Sequence, residues 1–293
     1  MASTVLESFR QFASNLTLTG LQESTVSTRQ TTVRAAVESD LSVLDSFLTG
    51  SYRRHTLIPP LKDADVDVVA VLDAKYFHNY NDRNGGPAGL LDLVKRTLRR
   101  TYTQTPDISR NGQAVTIRFT DFAVDVVPAF YRNGGGYLIP NSISQSWIST
   151  DPKKHVEILS AANQAHNGDL VPLIRIIKVW NRCHSTIFRS FHLEVLALQI
   201  LNNVQITDFP TGVRYYFDKA RALVTQKNLD PAGYGDDVGS YLNTQAKVNE
   251  AVSKFQSAYD AARRAEDNAA RGYAHLAIAT WRSLLGEYFP AYS

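Results

Sequence analysis

The sequence predicts an α+β protein, in which a mixed sheet with helices fills the first half of the chain and helices alone fill the second. Two observations carry this prediction. Short β-branched segments with alternating apolar residues lie between Asp65 and Ala129, which is typical of strands. From Pro152 onwards the apolar residues recur at helical spacing. We therefore place one internal boundary and predict an N-terminal lobe over residues 1–150 and a helical lobe over 151–293.

The predicted elements follow from local patterns along the chain. Val5 to Leu18 and Ser27 to Leu48 have helical apolar spacing, and Gly50 is expected to end the second helix. Strands are predicted at 65–73, 114–121 and 122–129, a basic helix at 89–102, and loops at 79–89 and 131–147. Ser149 to Pro152 resembles a helix start, and helices are predicted at 152–166, 170–183, 190–204, 212–226 and 243–285.

The composition is that of an ordinary globular protein. The 293 residues are 44% hydrophobic and 20% charged, with a net charge of +3. This charge is too small to predict a nucleic-acid binder from bulk composition. Basic residues nevertheless cluster locally, which suits either a polyanion such as a triphosphate or a solvated helix face. The basic cluster that we follow below consists of Lys95, Arg96, Arg99, Arg100, Arg110 and Arg118.

Cysteine usage and hydropathy exclude several classes of site. Cys183 is the only cysteine, so the chain contains no internal disulfide and no cysteine-based zinc site. The sequence has no apolar run near 18 residues, so we expect no membrane-spanning helix and no membrane partner. Its first residues are too polar for a secretory signal, and we expect a cytoplasmic protein.

Three aspartates in apolar surroundings are the candidate catalytic residues. Asp65 and Asp67 lie two positions apart in a predicted strand, so their side chains point to one face. Two neighbouring carboxylates repel each other unless a cation lies between them. Asp125, between Val124 and Val126, lies in another apolar strand, and the three carboxylates converge if these strands pair. The alternative is that the aspartates stand in ordinary turns at strand ends.

The chemistry of three carboxylates favours magnesium or manganese, because these hard cations prefer oxygen ligands. Two such ions form the clamp used in phosphoryl transfer. In this interpretation Asp65 and Asp67 bridge both ions, and Asp125 binds the ion at the attacking oxygen. Gly50 and Ser51 lie upstream of the pair and are candidates for binding phosphate, because glycine lets backbone amides approach an anion.

These motifs carry a family resemblance. The segment LTGSYRRHTLIPPLKDADVDVVAVLD followed by FAVDVVPAF resembles the polymerase-β-like nucleotidyltransferases. More narrowly, it resembles the bacterial relatives of cyclic GMP-AMP synthase, the CD-NTases of CBASS anti-phage systems, and among them the CdnE-type enzymes. The resemblance implies a nucleotidyltransferase core with an N-terminal spine helix, a helical lobe packed on the core, and an active site in the cleft between the lobes.

The resemblance continues into the helical half through LIRIIKVWN and SFHLE. It implies that Lys178 and Ser190 bind the donor triphosphate and that Phe191 stacks on the donor base. Asn163 is the candidate for reading a base edge, with Asn167 as the alternative, since relatives that use uridine have an asparagine near this point. Without the resemblance, Lys178 could be a snorkelling side chain and Phe191 a core residue.

The implied activity is the template-independent joining of nucleoside triphosphates into a cyclic di- or trinucleotide messenger, with release of pyrophosphate. The expected partners are ATP, UTP or GTP and a downstream effector that reads the product, without a nucleic-acid template, and the chain is expected to be a monomer. Two alternatives stay open: transfer of a nucleotide to an RNA end or a protein, and a non-catalytic nucleotide or RNA sensor.

Overall fold

The computed structural model describes residues 3–104 and 107–293. Within these ranges strands and helices are mixed in the first half of the chain, and the second half is helical. The strands are β1 (Val43–Thr49), β2 (Asp65–Leu72), β3 (Ile108–Asn111), β4 (Ala114–Arg118), β5 (Ala123–Tyr131), β6 (Tyr137–Asn141) and β7 (Ser146–Thr150). The helices are α1 (Val5–Asn15), α2 (Gly20–Glu38), α3 (Gly50–Arg53), α4 (Ala74–Tyr80), α5 (Gly86–Thr101), α6 (Pro152–Ala165), α7 (Leu170–Cys183), α8 (Ser190–Ile200), α9 (Phe209–Leu223), α10 (Gln245–Ala270) and α11 (Ala274–Leu285).

The chain forms two compact units. The sheet unit, Leu18–Glu157, contains all the strands named above. The helical unit combines the residues up to Thr17 with Ile158–Ser293. This division differs from the predicted boundary after residue 150 in two respects. Helix α1 groups with the C-terminal helices, and residues 151–157 group with the sheet.

The sheet has the strand order β1-β2-β5-β4-β3, and β6 and β7 extend it from the far end of β5. Strands β2 and β5 are parallel neighbours, whereas β1–β2, β4–β5 and β3–β4 are antiparallel. Pro128 lies in β5 beyond the last residue paired with β4 and before the first paired with β6. A residue without an N–H is tolerated at such a point in a strand.

The two faces of the sheet have different surroundings. Val66, Val68 and Val126 point into the main core, which includes residues of α2 and α5. The alternate residues of β2 and β5 point to the opposite face, which we call the acidic face. One end of that face carries Asp65, Asp67 and Asp125, and the other carries a small apolar cluster. The cluster comprises Val69, Val71, Ala129, Tyr137 and Ile139.

The prediction for residues 27–48 was wrong at its C-terminal end. Helix α2 ends at Glu38, and Val43–Thr49 form strand β1 against β2. The leucine spacing fits a helix, but Leu44 is 57% exposed, so these leucines do not share one buried face. Pairing with β2 outweighs local helical spacing here. Gly50 therefore begins α3 and does not end a long helix.

Two other predictions were also wrong. The predicted loop 131–147 contains β6 and the start of β7, and the glycines at 134–136 lie in the turn between β5 and β6. The predicted helix 243–285 is two helices, α10 and α11, separated at Gly272, which has a φ of +82°. The remaining predicted strands and helices are confirmed, with shifts of a few residues at their ends.

The helical unit has its own aromatic core. Trp180, Phe188 and Phe255 stack on one another with ring centroids 4.5–5.8 Å apart. Phe9 of α1 packs edge-on against Trp281, with centroids 4.9 Å apart. Among the helices of residues 3–104 and 107–293, none has the length and apolar character needed to cross a bilayer.

Candidate active site

The three candidate acids lie together on the acidic face of the sheet. Asp67 and Asp125 are direct partners in the parallel register of β2 and β5. Asp65 is paired with Ala123, two residues earlier along both strands. Neighbouring strands are about 4.8 Å apart, and register partners point to the same side. The sequence-based expectation that these strands pair and bring the acids together is therefore met at the level of the backbone.

Burial increases from the first acid to the third. Asp65 is exposed, Asp67 is partly buried, and Asp125 is only 9% exposed. Burial raises the pKa of Asp125 above its ordinary value, and the charge of Asp65 raises it further. The Thr116 hydroxyl and Arg118 act in the opposite direction on that pKa. A buried carboxylate beside two others is costly to ionise, and a cation at this point would reduce the cost.

The residues fit a divalent cation, as two observations show. Among the described residues, Oδ1 of Asp125 is a buried oxygen without a hydrogen-bond partner. The donors are all carboxylate oxygens, which magnesium and manganese prefer. In the same described part of the chain, no three His, Cys, Asp or Glu side chains already stand close enough to surround a metal ion. The strands thus supply a common face and register for the three carboxylates.

Gly50 lies directly against Asp67. It follows β1, adopts a φ of +66°, and begins the single turn α3. A Cβ at this position would lie 1.7 Å from Oδ2 of Asp67, so a residue with a side chain requires the Asp67 carboxylate or the turn to move. Ser51 follows it, and its carbonyl oxygen accepts from the backbone N–H groups of Thr56 and Leu57 at 2.9 and 3.1 Å. The Gly-Ser pair thus stands beside the acids, as its order in the sequence suggested.

Lys178 is buried inside the helical unit. Its Nζ lies 3.1 Å from Oε1 of Glu194, and the two side chains are 4% and 2% exposed. The pair joins α7 to α8, whose first residue is Ser190. The sequence did not predict this partner for Lys178. The single carboxylate of α8, Glu194, is the signal that could have indicated it, because apolar residues stand on both sides of it.

We expect Lys178→Met to destabilise the helical unit by about 3–5 kcal/mol, because the Glu194 carboxylate would stay buried after losing its ammonium. The double variant Lys178→Met/Glu194→Leu should recover most of that stability, since apolar residues of similar volume replace both charges. Urea denaturation of the two variants and the unmodified chain measures the difference. A single variant as stable as the unmodified chain would contradict this interpretation of the pair.

Ser190 and Phe191 lie at the start of α8. Ser190 is exposed and Phe191 is partly buried. Arg189, the preceding residue, makes no side-chain cap to this helix. The first N–H groups of a helix favour anions when no side chain caps them, so this start is compatible with the predicted phosphate role of Ser190.

His192, the next residue of α8, is fully buried. Its Nδ1 lies 2.9 Å from the hydroxyl of Tyr241, and burial lowers its pKa to about 4, against a smaller opposing effect of Asp237. The folded pKa is below the unfolded value of about 6.5, so the neutral ring stabilises the fold above pH 6.5. That stability is lost as the pH falls towards 4.

We expect the unmodified chain to lose about 3 kcal/mol of stability between pH 7 and pH 4 through His192 alone. His192→Gln keeps a hydrogen-bonding side chain but does not titrate, so its melting temperature should fall less over the same range. Thermal melts at several pH values test this, with the exposed His275→Gln as control. Parallel acid profiles for His192→Gln and the unmodified chain would contradict the assignment.

Asn163 has a structural contact that the sequence did not predict. Its Oδ1 accepts from the backbone N–H of Val171 at 2.9 Å and so caps α7, although Asp169 occupies the N-cap position without capping. The side-chain oxygen is therefore engaged within the helical unit. Asn167, the alternative base reader, is exposed in the turn after α6, with a φ of +55°.

The basic cluster on α5, β3 and β4 is partly neutralised. Arg100, Arg110 and Arg118 form ion pairs with Asp40, Asp92 and Asp107 at 2.8, 3.2 and 3.0 Å. These pairs favour the interpretation as a solvated surface for half of the cluster. Arg118 differs from the other two arginines in its position. It is the register partner of Ala123, which is on the same face as Asp125, and so it lies on the acidic face.

Sequence reasoning missed two residues of this site. Thr49 is the register partner of Asp67 on β1, and Thr116 is the partner of Asp125 on β4. Thr49, Asp67, Asp125 and Thr116 thus form one row across four strands. Thr49 is 8% exposed and Thr116 1%. A single hydroxyl in the otherwise apolar run Ala114–Ile117 was the available signal.

Solved structures of similar fold include bacterial nucleotidyltransferases. The chain superposes on the CdnC protein of an E. coli CdnC:HORMA-deltaN complex with a TM-score of 0.78 and 19% identity, covering 98% of both chains. It superposes on the Elizabethkingia meningoseptica CdnE cyclic dinucleotide synthase with a TM-score of 0.61 and 17% identity, covering 80% of this chain and 90% of that one. These similarities show the fold.

Comparisons of sequence identify the family. The chain is 28% identical over 263 residues to a cyclic AMP-AMP-AMP synthase of an Acinetobacter species, covering 84% of this chain and 72% of the relative. Residues 3–163 match the model of the Second Messenger Oligonucleotide or Dinucleotide Synthetase (SMODS) domain. This match covers more than half of the chain and includes Gly50, Ser51 and the three acids. The chain therefore belongs to the family of second messenger oligonucleotide or dinucleotide synthetases.

Proposed function

We propose that the chain joins nucleoside triphosphates into a cyclic oligonucleotide at the acidic face of the sheet unit, without a template. The observation that carries this proposal is the register of β2 and β5, in which Asp67 and Asp125 are direct partners and Asp65 lies two residues before Asp67 on the same face. Gly50, packed against Asp67, supports it, since backbone and phosphate can approach closely only where no side chain intervenes.

Each residue has a proposed role in the reaction. Asp65 and Asp67 would hold two divalent cations and Asp125 one of them, and these ions would neutralise the triphosphate and make the attacking hydroxyl more acidic. Asp125 accepts the proton of the acceptor 3′-hydroxyl. That oxygen forms a bond to the donor α-phosphorus, and the bond to the leaving pyrophosphate breaks. Gly50 and Ser51 orient phosphate oxygens, and a second transfer closes the ring.

The helical unit is proposed to contribute Lys178 and Ser190 to the triphosphate and Phe191 to the donor base. For Lys178 the double variant Lys178→Met/Glu194→Leu gives a clean test, because it separates folding from binding. We expect it to regain stability without regaining product formation. A stable and fully active double variant would make the buried pair structural only.

The proposed substrates include ATP. The support is the Acinetobacter relative, which is 28% identical to this chain and is named a cyclic AMP-AMP-AMP synthase. Asn163 is the proposed base reader, and its cap to Val171 leaves the amide N–H groups for a base edge. This arrangement favours recognition of an acceptor atom on the base. We further propose that the chain acts as a monomer and that a separate effector binds the product.

One incubation tests the proposed function. The purified chain is mixed with all four nucleoside triphosphates and Mg²⁺ or Mn²⁺, treated with phosphatase, and the products are analysed by mass. We expect a phosphatase-resistant cyclic product containing adenosine. Product that appears only with added RNA or protein would favour the transfer alternative. No product from triphosphates under any of these conditions would favour a non-catalytic sensor.

A further inference from the structure

Thr116 and Asp125 are adjacent buried groups on neighbouring strands. They are register partners in the antiparallel pair β4–β5, so their Cβ atoms are about 4.5–5.5 Å apart and on one side of the sheet. Thr116 is 1% exposed and Asp125 is 9% exposed. The hydroxyl is close enough to lower the pKa of the carboxyl, which burial raises.

Among the described residues, two buried oxygens in this pair have no hydrogen-bond partner: Oγ1 of Thr116 and Oδ1 of Asp125. Buried polar atoms without partners are rare, and each one requires a physical explanation. The two atoms are complementary, because a hydroxyl donates and a carboxylate oxygen accepts. A hydrogen bond from the Thr116 hydroxyl to Oδ1 of Asp125 would satisfy both at once.

We infer that Thr116 is a positioning residue, which donates a hydrogen bond to Oδ1 of Asp125 and thereby fixes the orientation in which the remaining lone pairs of this carboxylate would meet the acceptor hydroxyl and a cation. The inference rests on the proposed function of the three acids. A fixed carboxylate loses less conformational freedom when it engages a ligand than one that must be ordered at that moment. No step of the reaction requires Thr116 to contact the substrate itself.

Arg118 is the other group on β4 that faces the acids, and it could hold Asp125 in place of Thr116. It is half exposed, however, and forms an ion pair with Asp107 at 3.0 Å. Its partner on β5 is Ala123, which lies two residues before Asp125 and is also the register partner of Asp65 on β2. The fully buried hydroxyl is thus better placed than the exposed guanidinium to fix the third acid.

The test compares Thr116→Val, which keeps the shape and removes the hydroxyl, with Thr116→Ser, which keeps the hydroxyl. We expect Thr116→Val to lower kcat roughly tenfold or more with little change in KM, since a hydrogen bond to a charged group is lost. The Mn²⁺ concentration that half-maximally raises the melting temperature should rise by a similar factor. Thr116→Ser should stay near the unmodified chain in both measurements. Thr97→Val, a change at a buried threonine on α5, is the matched control.

Two results would overturn the inference. Thr116→Val with unchanged kcat and unchanged Mn²⁺ response would remove any role of the hydroxyl, and equal impairment of Thr116→Ser would reduce the role to packing. If Thr116→Val folds poorly, it is compared with Asp125→Asn and the double variant, and the inference requires that the two losses of Mn²⁺ response do not add. Failure of the proposed function would look different, because the unmodified chain would then form no product.

Discussion

Asp65→Asn combined with Asp67→Asn should abolish product formation and leave the sheet unit folded. We expect a loss of at least about 1,000-fold, because charge neutralisation by metal ions supplies several kcal/mol of transition-state stabilisation. The double variant keeps the size and strand propensity of both side chains. Its melting temperature without metal should equal or exceed that of the unmodified chain, since like charges facing each other across strands cost about 0.2–1 kcal/mol.

Metal-dependent stability separates this outcome from simple unfolding. Mn²⁺ should raise the melting temperature of the unmodified chain, and the double variant should lose most of that rise. A suitable control is Asp92→Asn, at an acid in the sheet unit that pairs with Arg110 away from the row of acids. It should keep both product formation and the response to Mn²⁺. Retained synthesis in the double variant would refute the assignment of the acids.

Gly50→Ala should be nearly as damaging by a different route. The added Cβ would lie 1.7 Å from Oδ2 of Asp67, so the carboxylate or the turn α3 must move. The φ of +66° adds about 1–2 kcal/mol of backbone strain for any residue with a Cβ. We expect product formation to fall by about 100-fold, because a displacement of about 1 Å at a catalytic group has effects of that size.

A second glycine separates strain from collision. Gly272 has a similar φ of +82° but open space around its missing Cβ. Gly272→Ala should therefore cost stability through strain alone and leave product formation unchanged. In an Asp67→Ala background, Gly50→Ala should cost less stability than in the unmodified chain, since the colliding carboxylate is gone. Equal costs in the two backgrounds would show that the contact with Asp67 does not matter.

Much of the sheet unit could be predicted from the sequence, because side chains alternate between the two faces of a strand and the residue types alternate with them. The alternation in Asp65–Leu72 and in Ala123–Tyr131 predicted both strands and put Asp65 and Asp67 on one face. Strand β1 could not be predicted in this way, because its leucines also fit helical spacing and only its pairing with β2 decides between the two. The register that aligns Asp67 with Asp125 is likewise a property of the assembled sheet, and no local pattern encodes it.

The contacts of single polar side chains were harder to predict. Lys178 and Glu194 lie 16 positions apart, and their pairing depends on how α7 packs against α8. Asn163 resembles a base reader in sequence, yet its side-chain oxygen caps a neighbouring helix. Thr116 was overlooked because a threonine within a strand is common. The role that we propose for it follows from its register partner Asp125 across the sheet and from the buried oxygen that each of the two side chains leaves without a partner.

The most direct test of the account is the position of bound metal. Crystals of the chain grown with Mn²⁺ and a non-hydrolysable ATP analogue would be measured at a wavelength where manganese scatters anomalously. We expect anomalous peaks at the acidic face, in direct coordination with carboxylate oxygens of Asp65, Asp67 and Asp125. Manganese bound elsewhere with the nucleotide, while these three carboxylates contact no ion, would contradict the account.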